Sequence, residues 1–511
     1  MTAHTADSRQ SATDSHHSRR WVILGLTLIA QFMVTLDATI VTVALPSIQT
    51  DLGFANQLDL QWVINAYVLF FGGFLLLGGR AGDLFGRQRL FLTGLVLFTG
   101  ASLVNGIADD PATLVIGRGI QGFGAALVSP AVLSIIIVTF QSSAERVKAL
   151  GFFTAVTASG SAAGMLFGGL LTDYASWRWI FLVNIPIGLV GIIGAIRIIP
   201  NSKAMTGNVR HMDLPGAISV TGGLTVLVTA IVNAQAWGWS SARFIWMAVA
   251  AAALLAAFVV IELRTRHPLV RLGLFTKRTI SVGNAMMLTF SGGLFVMMFF
   301  PTLYLAENMG YSPIEIGLAY LPWPVAMMIA GSIGQKFIGK AGPRLLLTVG
   351  LLFVAAGLLT FVRLPVYGSY AADVLPGMLL TAVGAGLVFT PAFMVATTGV
   401  APEESGLASG IINTSQQLGA ALGLAVTSSL AAGYTAHLLA GTGARDITTA
   451  MQSSALVEGF QRGFTVAAAI VLASALIAAF GLRKADFTQN TTVASGDGQD
   501  AEQPLPAPHA V

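Results

Sequence analysis

An aspartate and an arginine stand where an apolar sequence gives them least reason to be. Asp37 occurs in FMVTLDATIVTVALPSI and Arg118 in GRGIQGFGAAL, each inside an apolar run long enough to cross a bilayer. An ionisable side chain at the centre of such a run costs about 2.5–3.5 kcal/mol on insertion scales, so its retention points to function. At the helical rise, Asp37 falls roughly 12 Å below the outer end of its run at Leu45, and Arg118 about 9 Å below the outer start of its own at Ala112. The two can meet at one depth and pair. A buried carboxylate moderated by an arginine can load and release a proton near neutral pH. The alternative is an inert pair that holds two helices in register. None of the seven histidines falls deep in an apolar run, which leaves Asp37, with Arg118 beside it, as the candidate for proton coupling.

Other chemistry finds little support. Gly117, Gly119 and Gly122 have the G-x-G-x-x-G spacing of a dinucleotide loop, but that spacing counts only between a strand and a helix, and here it sits within an apolar helix. Gly339-Lys340 is followed by Ala341, so no phosphate loop forms. There is no Cys, no metal-ligand constellation and no clustered nucleophile and base. Neither an enzyme nor a metal or other cofactor is expected, and a concentrating process without ATP must draw on an ion gradient.

The elements that position these residues follow from composition. The 511 residues are 55% hydrophobic and only 10% charged, against about 25% charged in a soluble domain. Apolar runs recur from Trp21–Leu45 to Phe464–Phe480 and make fourteen spans, so the chain is an all-α polytopic membrane protein. Of the 27 Lys and Arg, only Arg178, Arg243, Arg363, Arg445 and Arg462 fall on one side, Arg118 is inside a span, and the rest gather on the other. That bias orients the chain with both termini in the cytoplasm, as a multi-pass protein of the cell membrane. The net charge of +4 follows from the same loops and implies no nucleic acid. Residues 1–20 and 483–511 are polar and read as disordered cytoplasmic tails.

The chain also repeats itself. GRGIQGFGAALVSP in the fourth span is echoed by GMLLTAVGAGLVFTP in the twelfth, where Gly117, Gly124 and Ala125 match Gly377, Gly384 and Ala385. Gly151, Gly160 and Gly164 in the fifth span keep the separations of Gly410, Gly419 and Gly423 in the thirteenth, and GGRAGDLFGRQRLFL is answered by GSIGQKFIGKAGPRLLL. Residues 21–200 and 273–482 are therefore expected to form two six-helix bundles, with two additional helices in 201–272. Two six-helix halves facing a midplane site are the pattern of the major facilitator fold, and in that setting the glycines of the fourth span serve close helix packing.

Two further stretches carry function on this frame. Between the second and third spans, Gly79, Arg80, Asp83, Gly86, Arg87 and Arg89 combine turn-forming glycines with an acid among arginines, as a cytoplasmic gate that breaks an ion pair when two bundles rock apart would require. In the fifth span Gly160, Gly164 and Gly168 form a small-residue face for close packing. The first stretch resembles the signature loop of the major facilitator superfamily. The run from Gly160 through Gly168-Gly169 and Asp173 to WRWIFLVNIPIG resembles the antiporter motif of drug-exporting facilitators. With LDATIVTVALP, GRGIQGFGAA and the two extra central spans, the chain is similar to the fourteen-span drug:proton antiporter family. Met165 stands where that family places a proline.

The resemblance implies proton-driven export of a drug-like or antibiotic compound by alternating access; uptake of a small polar metabolite on the same fold is the alternative. The second half offers no deep charge, which favours export. The expected partners are a hydrophobic or cationic small molecule, protons and the lipid bilayer, with the chain acting as a monomer. For the substrate cavity, Asn413, Gln416 and Gln417 in the thirteenth span and Glu307 at the outer end of the Met- and Phe-rich ninth are the candidates, although hydrogen bonds between helices or a solvated loop would equally account for them.

Overall fold

Fourteen helices among the described residues are long and apolar enough to cross a membrane, as expected from the spacing of apolar runs. The computed structural model describes residues 3–140, 143–200, 213–266, 268–397, 405–441 and 448–483. The spans are, in order, Arg19–Leu52, Gln57–Gly82, Arg87–Gly106, Pro111–Thr139, Gly151–Tyr174, Trp179–Ile198, Leu214–Ala234, Ala242–Arg264, Arg278–Glu307, Pro313–Ile338, Lys340–Arg363, Tyr370–Val395, Gly410–Ala440 and Ala450–Gly481. They are numbered 1 to 14 below. The helix that carries span 1 begins at Ala3, so the backbone of 3–20 continues it where a disordered tail was expected; no Gly or Pro interrupts the sequence there. The C-terminal tail from residue 484 onward lies outside the described residues, as does the 201–212 linker.

Glycine decides where helices touch, and it does so twice over. Spans 2 and 3 are joined at Gly86 (φ 95°, ψ 137°), and spans 10 and 11 at Gly342 (φ 74°, ψ 156°). Both are left-handed conformations that side chains disfavour. A Cβ on Gly124 would press into the backbone of Gly94 and Phe98, and one on Gly384 into Gly350 and Val354. Likewise Gly164 lies against the Leu36 carbonyl and Gly423 against that of Gly292. Spans 3 with 4, and 1 with 5, thus cross as spans 11 with 12, and 9 with 13, so the repeat read from sequence is a repeat of helix contacts.

The halves meet along two seams. Span 2 runs beside span 13, with Gly72 against Gln417 and Gly410 against Leu76, and span 5 meets span 10 where Gly169 abuts Pro313 and Gly317 abuts the Met165 carbonyl. Met165, in the place of the expected proline, is itself buried in this crossing. Spans 7 and 8 pair with each other, and span 7 leans on spans 2 and 13. Arg80, Arg87 and Arg264 at helix ends, with Arg344 beside the Gly342 kink, define an arginine-rich end of the bundle. The opposite, far end carries Asp51, Arg178 and Glu307.

Candidate functional site

Span 1 brings Asp37 and span 4 brings Arg118 to one depth, and the two form an ion pair with Arg118 Nη1 2.6 Å from Asp37 Oδ2. Asp37 is 0% and Arg118 1% exposed. Buried charges persist only where paired and hydrogen-bonded, and here every neighbour contributes. Arg118 Nε donates to the Val63 carbonyl of span 2 at 2.9 Å, and the guanidinium lies 4.3 Å from the centre of the Tyr67 ring, a cation–π contact.

Four residues that the charge pattern did not single out, Gln121, Ser102, Asn105 and Asn184, complete the site. Gln121, one turn beyond Arg118, uses its whole hydrogen-bonding capacity. Its Nε2 donates to Asp37 Oδ1 (2.7 Å) and Ser102 Oγ (2.8 Å), and its Oε1 accepts from Arg118 Nη1 (2.8 Å) and Asn105 Nδ2 (2.8 Å). Asn184 of span 6 donates to Asp37 Oδ1 at 2.9 Å. The Asp37 carboxylate therefore accepts three hydrogen bonds, and five spans (1, 2, 3, 4 and 6) are tied to one charge pair. Gly117 leaves the space that the Asn105 amide fills, which gives a local reason for the first glycine of GRGIQG. Gln121 and Asn184 were both visible as amides inside apolar runs.

The other candidates separate into three places. At the arginine-rich end, Gly79 packs near Pro130 and Gly86 makes the turn, its amide donating to the Gly82 carbonyl at 3.1 Å. Arg80 and Arg87 are half-buried and Arg89 exposed; the Asp83 side chain, and with it the expected latch, lies outside the described residues. Gly160, Gly164 and Gly168 all face span 1, against Phe32, Leu36 and Ile40, whereas Gly169 faces span 10. The motif thus links the helix that carries Asp37 to the opposite half.

Asn413, Gln416 and Gln417 are half-buried along span 13, with Gln417 on the seam against Gly72. Glu307 is apart from them. It is exposed at the far end, where its Oε1 accepts from Gln57 Nε2 of the other half at 3.4 Å. Nearby, Arg178 pairs with Asp51 at 2.5 Å, beside a cavity of about 680 Å³ lined from both halves by Val43, Asp51, Thr172, Trp177, Arg178 and Tyr311. That volume suits a drug-sized molecule. Among the described residues no cluster of His, Cys, Asp and Glu could hold a metal ion.

A protein-family model, Major Facilitator Superfamily, matches residues 27–424. Over 465 residues, 90% of either chain, the sequence is 39% identical to the puromycin resistance protein pur8 of Streptomyces alboniger. It is 37% identical over 428 residues to the cephamycin export protein CmcT of Amycolatopsis lactamdurans, covering 83% of this chain and 88% of that one. In fold it is similar to a bacterial homologue of the human lysosomal transporter Spinster, in an inward-facing and unoccupied conformation. The TM-score is 0.61 at 18% identity, over 92% of this chain and 98% of that chain.

Proposed function

The chain belongs to the Major Facilitator Superfamily, and from that premise we propose that it exports an antibiotic or drug-like compound across the cell membrane in exchange for protons. The observation that carries this reading is the fully buried Asp37–Arg118 pair. Protonating Asp37 cancels the charge that balances Arg118. The guanidinium is then left with the Val63 carbonyl, Gln121 Oε1 and the Tyr67 face, a set too weak to hold a buried cation. Relief comes from moving spans 1 and 4 apart or admitting water. Because span 1 rides on the glycine face of span 5, and span 5 on span 10, the displacement is passed to the seam between the halves. Proton uptake and a change of access are in this way one event, as alternating access demands.

The rest of the reading follows in order. The arginine-rich end is cytoplasmic by the distribution of basic residues, so both termini face the cytoplasm. The compound enters between the halves along the seam that carries Asn413, Gln416 and Gln417, and leaves through the far-end cavity beside Glu307. The Met- and Phe-rich span 9 offers an adaptable apolar wall, suited to a hydrophobic or cationic molecule. The two halves supply each other's complementary faces, and the transporting unit is a monomer. The similarity to a puromycin resistance protein and a cephamycin export protein supports efflux over uptake.

The test uses inverted membrane vesicles energised by respiration. Addition of cationic or neutral antibiotics is expected to release protons from vesicles containing the wild type and not from those containing Asp37→Asn. Uptake of radiolabelled compound without any proton movement in the wild type would refute the coupling.

A further inference from the structure

Away from the Asp37 network, spans 1, 5 and 6 enclose a groove that the proposed exchange does not use. Leu28, Ile29 and Phe32 of span 1, Val156 of span 5 and Ile187 of span 6 line a cavity of about 350 Å³. All five side chains are hydrocarbon. Ile29 is 40% exposed, so the groove opens sideways, toward the acyl chains of a surrounding bilayer.

Three rows of residues lead from this groove to the arginine-rich end. On span 1, Trp21, Gly25, Leu28, Ile29 and Phe32 follow the three- and four-residue steps that share one helix face. Gly25 leaves a gap in that row, since a Cβ there would meet nothing within 4 Å. On the helix of span 5, which begins at Ser143, Lys148, Phe152 and Val156 stand one turn apart. The Lys148 ammonium lies 5.1 Å from the centre of the Trp21 ring, and the Phe152 ring meets the same ring edge-on at 6.3 Å. On span 6, the row from Ile187 ends at Ile198, whose carbonyl accepts from Arg19 Nη2 at 3.1 Å. At the helical rise Phe32 lies roughly 16 Å from the level of Trp21. Half of a hydrocarbon core about 30 Å thick is much the same distance, so the rows run the depth of one leaflet.

The mouth of the groove is basic. Arg19, Lys148 and Arg197 are exposed there, and Arg20 is paired with Glu145 at 3.3 Å. Together these cations outweigh the Glu145 carboxylate, and Trp21 stands among them, a side chain suited to the level of lipid head groups. We propose that the groove binds an anionic phospholipid of the leaflet at the arginine-rich end. One acyl chain lies between spans 1, 5 and 6, and Arg19, Lys148 and Arg197 hold the head-group phosphate beside Trp21. Hydrocarbon alone would accept any lipid; the cations select a negatively charged one.

The place of the groove gives the lipid a consequence. Phe32, at its inner end, sets its carbonyl and ring against Gly160, the first of the three glycines that seat span 5 on span 1. Val156, one turn before Gly160, lines the groove, so the two helices part where the glycine contact ends. A chain in the groove fills that wedge and steadies the helix that carries Asp37.

The test is native mass spectrometry of the whole protein in detergent, titrated with phosphatidylglycerol or with phosphatidylcholine of the same chains. The wild type is expected to retain phosphatidylglycerol about tenfold more tightly than phosphatidylcholine, as two or more basic contacts allow. Gly25→Leu fills the gap in the span 1 row without a clash and is expected to abolish that retention. Its melting temperature in lipid-free detergent should be no lower than that of the wild type, which separates loss of the site from loss of the fold. Arg19→Gln with Lys148→Gln, both at exposed positions, is expected to bind the two lipids alike. Equal retention of both lipids by the wild type, or undiminished phosphatidylglycerol binding by Gly25→Leu, overturns the proposal. Displacement of the lipid by an exported antibiotic would make the groove a path for that compound and would equally overturn it. Because retention and melting do not measure transport, failure here leaves the Asp37 exchange standing, and failure of that exchange leaves this site standing.

Discussion

The two six-helix halves share their packing and differ in their interior. Gly164 meets span 1 at Leu36 as Gly423 meets span 9 at Gly292, so the residue after each, Asp37 and Gly293, occupies the same place. Counting equally from Gly124 and Gly384, Arg118 corresponds to Met378 and Gln121 to Thr381; counting from Gly94 and Gly350, Ser102 corresponds to Leu358. Around Gly293 stand Val471 and Leu358 side chains, Met378 is fully buried, and Thr381 donates to the Met378 carbonyl of its own helix. One half holds a charge pair in a shell of amides; the other fills the same volume with hydrocarbon. Glycine contacts set the scaffold, and the positions they leave free are where chemistry was put.

Copying one half into the other sharpens that contrast. Arg118→Met alone strands Asp37 in a dry site and is expected to cost about 3–5 kcal/mol, as breaking a buried pair does. Asp37→Gly with Arg118→Met gives these two positions the residues of the second half while leaving the Gln121 and Asn184 amides in place, and is expected to recover part of that stability with no transport. Thermal unfolding in detergent alongside an export assay checks both, and a double variant no more stable than Arg118→Met would break the comparison. The converse change, Gly293→Asp, places an unpaired acid against Val471 and Leu358. It is expected to cost about 2.5–3.5 kcal/mol, the price of an acid at mid-membrane, and to show as a sharp fall in folded yield.

Where the halves are alike, equal changes are expected to have equal effects. Gly124→Ala and Gly384→Ala each drive a Cβ into a facing backbone and should each destabilise by about 1–3 kcal/mol. Matched losses in paired melting curves would support two equivalent crossings, and a large difference would count against them. The smallest effect is expected at the far end. Arg178→Ala removes a partly exposed pair with Asp51, worth about 0–1 kcal/mol, so unfolding should barely shift.

Charge in an apolar run is rare enough to read directly, and fixed helical rise turns position into depth. That is why the pairing of Asp37 with Arg118 is legible in the sequence itself, as are the fourteen spans and the repeat. The amides were harder. Gln121 and Asn184 are neutral, and a neutral amide in a span can bond its own helix, a neighbour or a cavity, so nothing local marks these two as ligands of Asp37. Glu262 was hidden for another reason. It stands near Arg264 at a span end, where a charge looks solvated, yet it is buried and its Oε2 accepts from the Val270 amide of the segment that leads on to span 9. Glu307 shows the reverse, since a residue read as a cavity candidate turns out to bridge the halves through Gln57 at the far mouth.

The most direct measurement is proton release by the purified protein in weakly buffered solution when an exported antibiotic is added. The wild type is expected to release protons as the compound binds. Neither Asp37→Asn nor the Asp37→Gly, Arg118→Met pair should release any while still folded, because each removes the carboxylate proposed to carry the proton. Undiminished release from either variant would place the coupling proton elsewhere and reduce the buried pair to a structural tie between spans 1 and 4.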